Sequence, residues 1–106
     1  MAKVRLNKAE TVPVTINNVA KTVVRNGKAI VTYSNYIRLA PGKVYETDDE
    51  AMLGFFRNYT TLIRYNAQTE EALKNNGVPY SIEYCKVCSG RVKKIKYHVV
   101  EVIDNE

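Results

Sequence analysis

The chain has 106 residues, a formal net charge of +5, and ordinary globular proportions of hydrophobic (45%) and charged (25%) residues. This composition excludes a disordered or collagen-like chain, and the length suits one domain with one core, so we expect residues 1–106 to form a single domain. No apolar run approaches the roughly 20 residues that cross a bilayer, and none follows the N-terminus as in a signal peptide, so we expect a protein made in a reducing cytoplasm without a membrane partner.

The first 45 residues are predicted to be β structure. A hairpin is expected around Asn26–Gly27, because these residues separate two β-branched runs and tolerate the positive φ of a type I′ turn. A strand continues over residues 36–39, Pro41–Gly42 makes a turn, and a short strand returns over residues 43–45. Residues 1–10 are polar and cationic, and we interpret them as a candidate arm, flexible or ordered by a neighbouring subunit.

Two short helices are predicted in the middle of the chain. The first begins at Thr47, with Glu50 three residues later as in a capping box. Its core-facing side is expected to carry Met52, Leu53, Phe56 and Tyr59, with Phe55 on the flank. A strand over residues 61–65 precedes the second helix, over residues 69–74, which Gly77 can end in the left-handed conformation.

The C-terminal region is predicted to be an antiparallel hairpin with a strand over residues 80–84, a turn that contains Cys85 and Cys88, and a longer second arm over residues 91–103. The predicted fold class is therefore α+β: an antiparallel β-sheet with two short helices packed on it and a C-terminal β-hairpin that carries a Cys-x-x-Cys knuckle.

Cys85 and Cys88 have the spacing that lets two thiolates face one tetrahedral zinc ion, as in half of a zinc ribbon. A structural zinc site needs four ligands, and the sole histidine, His98, lies about seven residues along the second arm, roughly 23 Å from the tip. A complete zinc site would therefore require a sharp bulge that brings His98 near the cysteines, or ligands from a second chain. Without either of them, no cofactor is expected. Two reduced thiols are the simpler interpretation, and redox catalysis is disfavoured because strand-like residues follow them.

The same hairpin carries five of the sixteen basic residues. Strand alternation places Lys94, Lys96 and His98 on one face. The candidate partner-binding residues are Lys86, Arg91, Lys93, Lys94, Lys96 and His98. Such a patch suits an acidic protein surface or a nucleic acid, and a merely solvated face is the alternative. The sequence gives His98 no nucleophile or carboxylate partner, so no catalytic residue is predicted and the protein is not expected to be an enzyme.

Two passages resemble small structural proteins of tailed bacteriophages. They are RLAPGKVYETDDEAMLGFF (residues 38–56), which combines a strand, a turn and an amphipathic helix, and the closing GVPYSIEYCKVCSGRVKKIKYHVVEV (residues 77–102). The resemblance implies a non-enzymatic virion component, a capsid accessory protein or one at the head-to-tail junction. It implies major capsid or connector subunits as partners, a symmetric assembly, and a location in the virion after assembly in the host cytoplasm.

Two other interpretations stay open. One is a small zinc-ribbon-like module that binds nucleic acid or a regulatory protein, for which Cys85 and Cys88 would be the metal ligands. The other is a phage-encoded inhibitor of a host protein, which the sequence does not distinguish from a virion component.

Overall fold

The computed structural model describes residues 1–87 and 90–103, which form an α+β fold with antiparallel sheets and two helices. In chain order the elements are β1 (Ala2–Leu6), β2 (Val14–Arg25), β3 (Lys28–Leu39), β4 (Val44–Thr47), α1 (Glu50–Asn58), β5 (Thr61–Arg64), α2 (Ala67–Asn75), β6 (Tyr80–Val87), β7 (Gly90–Tyr97) and β8 (Val100–Ile103). The predicted fold class is confirmed at this level.

The strands form three sheets where the sequence predicted one. Their orders are β4-β1-β8, β2-β3 and β5-β7-β6. The predicted second arm of the C-terminal hairpin is broken at His98–Val99, so β7 pairs with β5 and β6 while β8 pairs with β1. Buried Asn7 fixes this break, because its Nδ2 donates to the His98 carbonyl at 2.7 Å and its backbone N–H donates to the Val99 carbonyl at 2.9 Å.

The interpretation of residues 1–10 as an arm is wrong for Ala2–Leu6. This segment is β1, the central strand of its sheet, with β4 on one edge and β8 on the other. Its apolar residues alternate, so Ala2, Val4 and Leu6 enter the core while Lys3 stays exposed. A central strand whose alternate side chains are buried is fixed by packing within the chain itself.

Helix α1 covers the main core with the predicted face. Met52, Leu53 and Phe56 are buried there against strand residues that include Val4 and Ile16. The predicted cap is corrected: Asp49, not Thr47, is the N-cap, and its carboxylate accepts from the amides at the start of the helix. The Thr47 hydroxyl instead accepts from the Asp49 amide at 3.1 Å, one step before the helix.

A second, smaller core lies between α2 and the β5-β7-β6 sheet. It is built on Leu73, Val78 and Ile95, all buried. Asn66 caps α2 at its N-terminus, and Gly77 follows the helix with a φ of +68°, the left-handed conformation predicted for it. Helix α2 therefore packs on one side of the hairpin formed by β6 and β7.

The two-stranded β2-β3 sheet is a ribbon whose base, with Ile16, Val19 and Leu39, belongs to the main core and whose far part extends away from it. Each strand has 12 residues, about 40 Å at 3.3 Å per residue, and type I′ φ values at Asn26 (51°) and Gly27 (76°) confirm the predicted turn. The Cα radius of gyration is 16.1 Å, against about 13 Å expected for a compact domain of this length. The fold is therefore elongated.

Neither helix of the described part of the chain has the length and apolar character that a bilayer crossing requires.

Candidate functional site

The predicted basic surface of the β6-β7 hairpin is divided between two faces. Lys86 pairs with Arg91 and Glu83 with Lys94 in the antiparallel register. Because alternate residues of a strand point to opposite sides, Lys86, Arg91 and Lys93 share the face that α2 partly covers, and Lys94 and Lys96 lie on the other. The five cations do not form one continuous surface.

Two of these cations already have partners within the fold. The Lys96 ammonium lies 3.9 Å from the Glu83 carboxylate, and the Lys93 ammonium lies 3.8 Å from the centroid of the Tyr65 ring. An exposed ion pair contributes little to stability, but a nearby carboxylate reduces the local positive potential that an anionic partner would meet.

The carboxylate of Glu70 joins α2 to this hairpin. It accepts from the Tyr65 hydroxyl at 2.6 Å and from the Tyr80 hydroxyl at 2.7 Å. These two hydrogen bonds favour the ionised carboxylate and lower the pKa of Glu70, and they raise the pKa of both tyrosines. A polar cluster of Glu70, Tyr65 and Tyr80 therefore links α2 to the hairpin face beneath it, next to Lys93.

His98 does not continue the face of Lys94 and Lys96 as the alternation predicted. Strand β7 ends at Tyr97, and the His98 ring lies against the end of α1, where its Nδ1 is 2.9 Å from the Tyr59 carbonyl oxygen. The side chain is exposed at this junction of β7 and β8. Its position is set by the break in the strand, so it is separate from the hairpin cations.

The predicted metal ligands are only partly within the described residues. Cys85 lies on β6 and pairs with Val92, whereas Cys88 lies outside the described residues. Val92 is six residues from His98, about 20 Å along the strand, so Cys85 and His98 cannot ligate one ion. In the described ranges no three His, Cys, Asp or Glu side chains are grouped as a metal site. Zinc at Cys85 and Cys88 therefore stays an open alternative to two reduced thiols.

The β2-β3 ribbon is a second candidate surface, which the sequence analysis did not single out. Its outer part, residues 21–33, is called the outer ribbon here. The apolar face of the outer ribbon is turned toward α1 and consists of Thr22, Val24, Ala29, Val31 and Tyr33. Val24 is 74% exposed and Tyr33 is 62% exposed, so this face lacks a covering layer in the described structure.

An open groove of about 430 Å³ continues the apolar face at its base. One wall is the ribbon, with Ala20 and Tyr33, and the other is the flank of α1 beside its buried side. The helix and the residues after it contribute Ala51, Gly54, Phe55, Asn58, Tyr59 and Thr60. No charged side chain is among these lining residues of the described chain. A Cβ added to Gly54 would meet nothing within 4 Å, so the groove is open above the helix.

Asp49 fixes the ribbon relative to the helix. Its carboxylate accepts from the Thr22 amide at 2.8 Å and the Thr22 hydroxyl at 2.9 Å while it caps α1. Burial acts to raise the pKa of Asp49, but hydrogen bonds from Thr22, Met52 and Ala51 outweigh it, so the pKa is lowered. One ionised carboxylate thus sets the angle between the ribbon and the wall of the groove.

Comparisons with protein-family models, with curated proteins and with solved structures found no match for this chain.

Proposed function

We propose that the protein is a non-enzymatic structural component of a tailed-phage virion. It binds major capsid or connector subunits as an accessory protein of a symmetric assembly, and it joins the virion from the host cytoplasm. The observation that carries this proposal is the apolar face of the outer ribbon, where Val24, Val31 and Tyr33 are exposed and lead into an uncharged groove beside α1.

An exposed apolar surface with a polar surround is typical of a protein–protein interface. The ribbon also offers backbone groups, because in the described structure β2 and β3 pair only with each other and each has an open edge. Open edges pair readily with strands of another chain, as in β-strand addition. A neighbouring subunit can therefore gain both main-chain hydrogen bonds and burial of Val24, Val31 and Tyr33.

The phage assignment is supported by the resemblance of residues 38–56 and 77–102 to small phage structural proteins. The strand, turn and helix of the first passage correspond to the end of β3, the Pro41–Gly42 turn and α1, with β4 between the turn and the helix. Leu39 and one side of α1 belong to the core, and α1 also forms one wall of the groove. An accessory role also suits the elongated shape, since a projecting ribbon can reach a neighbour beyond the core of its own subunit.

The test is incorporation of the chain into particles of the phage that encodes it. A photo-crosslinking amino acid at position 24 should join the chain to a capsid or connector subunit in purified particles, as identified by mass spectrometry. The double variant Val31→Thr/Tyr33→Ser should lower incorporation at least about tenfold, because each buried large apolar side chain contributes roughly 1.5–3 kcal/mol.

Two residues elsewhere provide a matched control. Val44 on β4 is 47% exposed, close to Val31 at 45%, and Tyr84 on β6 is 63% exposed, close to Tyr33 at 62%. Val44→Thr/Tyr84→Ser removes the same groups and should enter particles like the unmodified chain. Gly54→Leu, which places a side chain in the groove, should lower incorporation. Absence of the chain from purified particles, or equal effects of the two double variants, would contradict the proposal.

A further inference from the structure

The region that contains the ribbon carries basic residues without acidic ones. Residues 11–45 include five basic residues and no acidic residue; the basic ones are Lys21, Arg25, Lys28, Arg38 and Lys43. The remaining eleven basic residues equal the eleven acidic ones in number. Residues 84–100 also include five basic residues and no acidic one, so each of these two segments carries +5 and the rest of the chain carries −5.

Three of these cations lie on one face of the outer ribbon. Lys21 pairs with Thr32, Val23 with Ile30, and Arg25 with Lys28, in a stretch without a bulge. The side chains of these pairs share the side opposite to Thr22, which contacts Asp49 beside α1. This cationic face thus consists of Lys21, Val23, Arg25, Lys28, Ile30 and Thr32. Within the described residues no carboxylate forms an ion pair with Lys21, Arg25 or Lys28.

We propose that the cationic face of the outer ribbon binds double-stranded DNA by entering its major groove. The inference is independent of the proposed function, because it concerns the face opposite to the apolar one. A duplex carries a phosphate about every 3.4 Å along each strand. A row of cations can therefore contact phosphates wherever along the duplex the protein binds. An acidic protein surface would instead need several carboxylates in a row without an intervening cation, which makes duplex DNA the favoured partner.

The dimensions of the ribbon suit that groove. The B-form major groove is about 12 Å wide and admits a two-stranded β-ribbon. Arg25 and Lys28 are directly opposite each other beside the turn, and Lys21 lies about 13 Å back along the strand, so the cations can meet phosphates at the tip and along one flank. Val23 and Ile30 lie between them, where apolar groups can contact thymine methyl groups.

The experiment measures binding of the full chain to a labelled 30-base-pair DNA duplex by fluorescence anisotropy. Three phosphate contacts predict a salt slope of about −2.7, so affinity should fall about 40-fold between 50 and 200 mM salt. The triple variant Lys21→Gln/Arg25→Gln/Lys28→Gln should weaken binding at 50 mM salt by more than about tenfold and lose most of this slope. Its thermal unfolding should match the unmodified chain, because the three side chains are exposed.

A matched control on the other hairpin separates the ribbon from net charge. Lys86→Gln/Arg91→Gln/Lys93→Gln removes two lysines and one arginine from one face of β6-β7, including a directly opposite Lys–Arg pair. It should weaken binding by less than about threefold, since those cations lie outside the proposed contact. Equal losses in the two triple variants would overturn the proposal, as would no binding at 50 mM salt.

Two competitors test the nature of the partner. An RNA duplex of the same sequence should bind more weakly, because the A-form major groove is too narrow and deep for the ribbon. Poly-L-glutamate at equal charge concentration should fail to displace the DNA. RNA binding as tight as DNA binding would overturn insertion into the major groove, and displacement by polyglutamate would identify an acidic protein as the partner instead.

Discussion

The two long hairpins of this protein use similar residues in opposite ways. In β6-β7 the cations are close together in sequence but divided between two faces, with α2, Glu70 and Glu83 beside them. In β2-β3, Lys21, Arg25 and Lys28 lie within eight residues and share one face, without a carboxylate in the whole segment of residues 11–45. The carboxylates beside a basic hairpin therefore decide how much of its positive potential another molecule meets.

The hairpins also differ in what supports them. Hairpin β6-β7 covers a core through Ile82 and Ile95, whereas no residue of the outer ribbon is buried in the described structure. A hairpin buried on one side must keep the side chains that fill its core. An uncovered ribbon can keep apolar and basic residues for contacts with other molecules.

The largest effect is expected from a pair of isoleucines, one on each hairpin. Ile95 on β7 is fully buried, whereas Ile30 on β3 is 38% exposed. Ile95→Ala should lower the free energy of unfolding by about 2–5 kcal/mol because it leaves a cavity under α2. Ile30→Ala should cost less than about 1 kcal/mol. Urea denaturation of both variants measures the difference, and similar losses would show that the ribbon is packed rather than bare.

An intermediate effect is expected from two asparagines. Asn7 is buried, with its side chain bonded to the His98 carbonyl at 2.7 Å and to the Ala9 amide at 2.8 Å. Asn7→Ala leaves these groups without a partner and should cost about 1–3 kcal/mol. Asn35 on the ribbon has longer bonds, of 3.0 Å to Thr32 and 3.5 Å to Val19, so Asn35→Ala should cost about 0.5 kcal/mol. A larger loss for Asn35→Ala than for Asn7→Ala would contradict the conclusion that Asn7 fixes the break at His98–Val99.

The smallest effect concerns acid pH. Hydrogen bonds from Tyr65 and Tyr80 lower the pKa of Glu70 on α2, and those from Thr22, Met52 and Ala51 lower the pKa of Asp49 at the ribbon base, against the effect of its burial. A lowered pKa in the folded state stabilises the fold above the unfolded pKa, near 4, and this stabilisation is lost as pH falls through the folded value.

Glu70→Gln and Asp49→Asn should each flatten the dependence of unfolding free energy on pH between pH 6 and 2, whereas Glu71→Gln on the same helix as Glu70 should keep most of the slope. Hydrogen exchange at pH 6 should then localise each effect. Asp49→Asn should speed exchange of the Thr22 amide, which bonds to that carboxylate, and Glu70→Gln should leave it unchanged. A wild-type slope in both variants would show that neither carboxylate anchors its region.

Local signals in the sequence predicted local structure well. The Asn26–Gly27 turn follows from the φ values these residues tolerate, and the buried face of α1 follows from the spacing of Met52, Leu53 and Phe56. The cap of α1 was misassigned by two residues, because Thr47 and Asp49 both have side chains that can accept from nearby amides.

Features that depend on distant residues were not predicted. The break at His98–Val99 needs Asn7, 91 positions away from His98, and no pattern within the C-terminal arm shows it. The burial of β1 needs β4 and β8 on its two edges. These contacts exist only after the chain has folded. The alternation of apolar and polar residues within one segment does not distinguish a flexible arm from a central strand.

The faces of the ribbon were missed for a related reason. Bulges shift the register between Ile16 and Lys21, with Asn18 at a φ of 59°, so alternation counted from the start of β2 does not give the face of Lys21. One signal was present in the sequence: a run of 35 residues, from 11 to 45, without an acidic residue. Counting where acidic residues are missing would have identified the ribbon before its structure did.

The central claim is that the ribbon, rather than the C-terminal hairpin, is the surface that meets other molecules. Amide chemical-shift mapping of the full chain during titration with a 30-base-pair DNA duplex at 50 mM salt tests it most directly. We predict the largest shifts at residues 21–32 and small shifts at residues 86 and 91–96. Large shifts in the second group with an unchanged ribbon would contradict the claim.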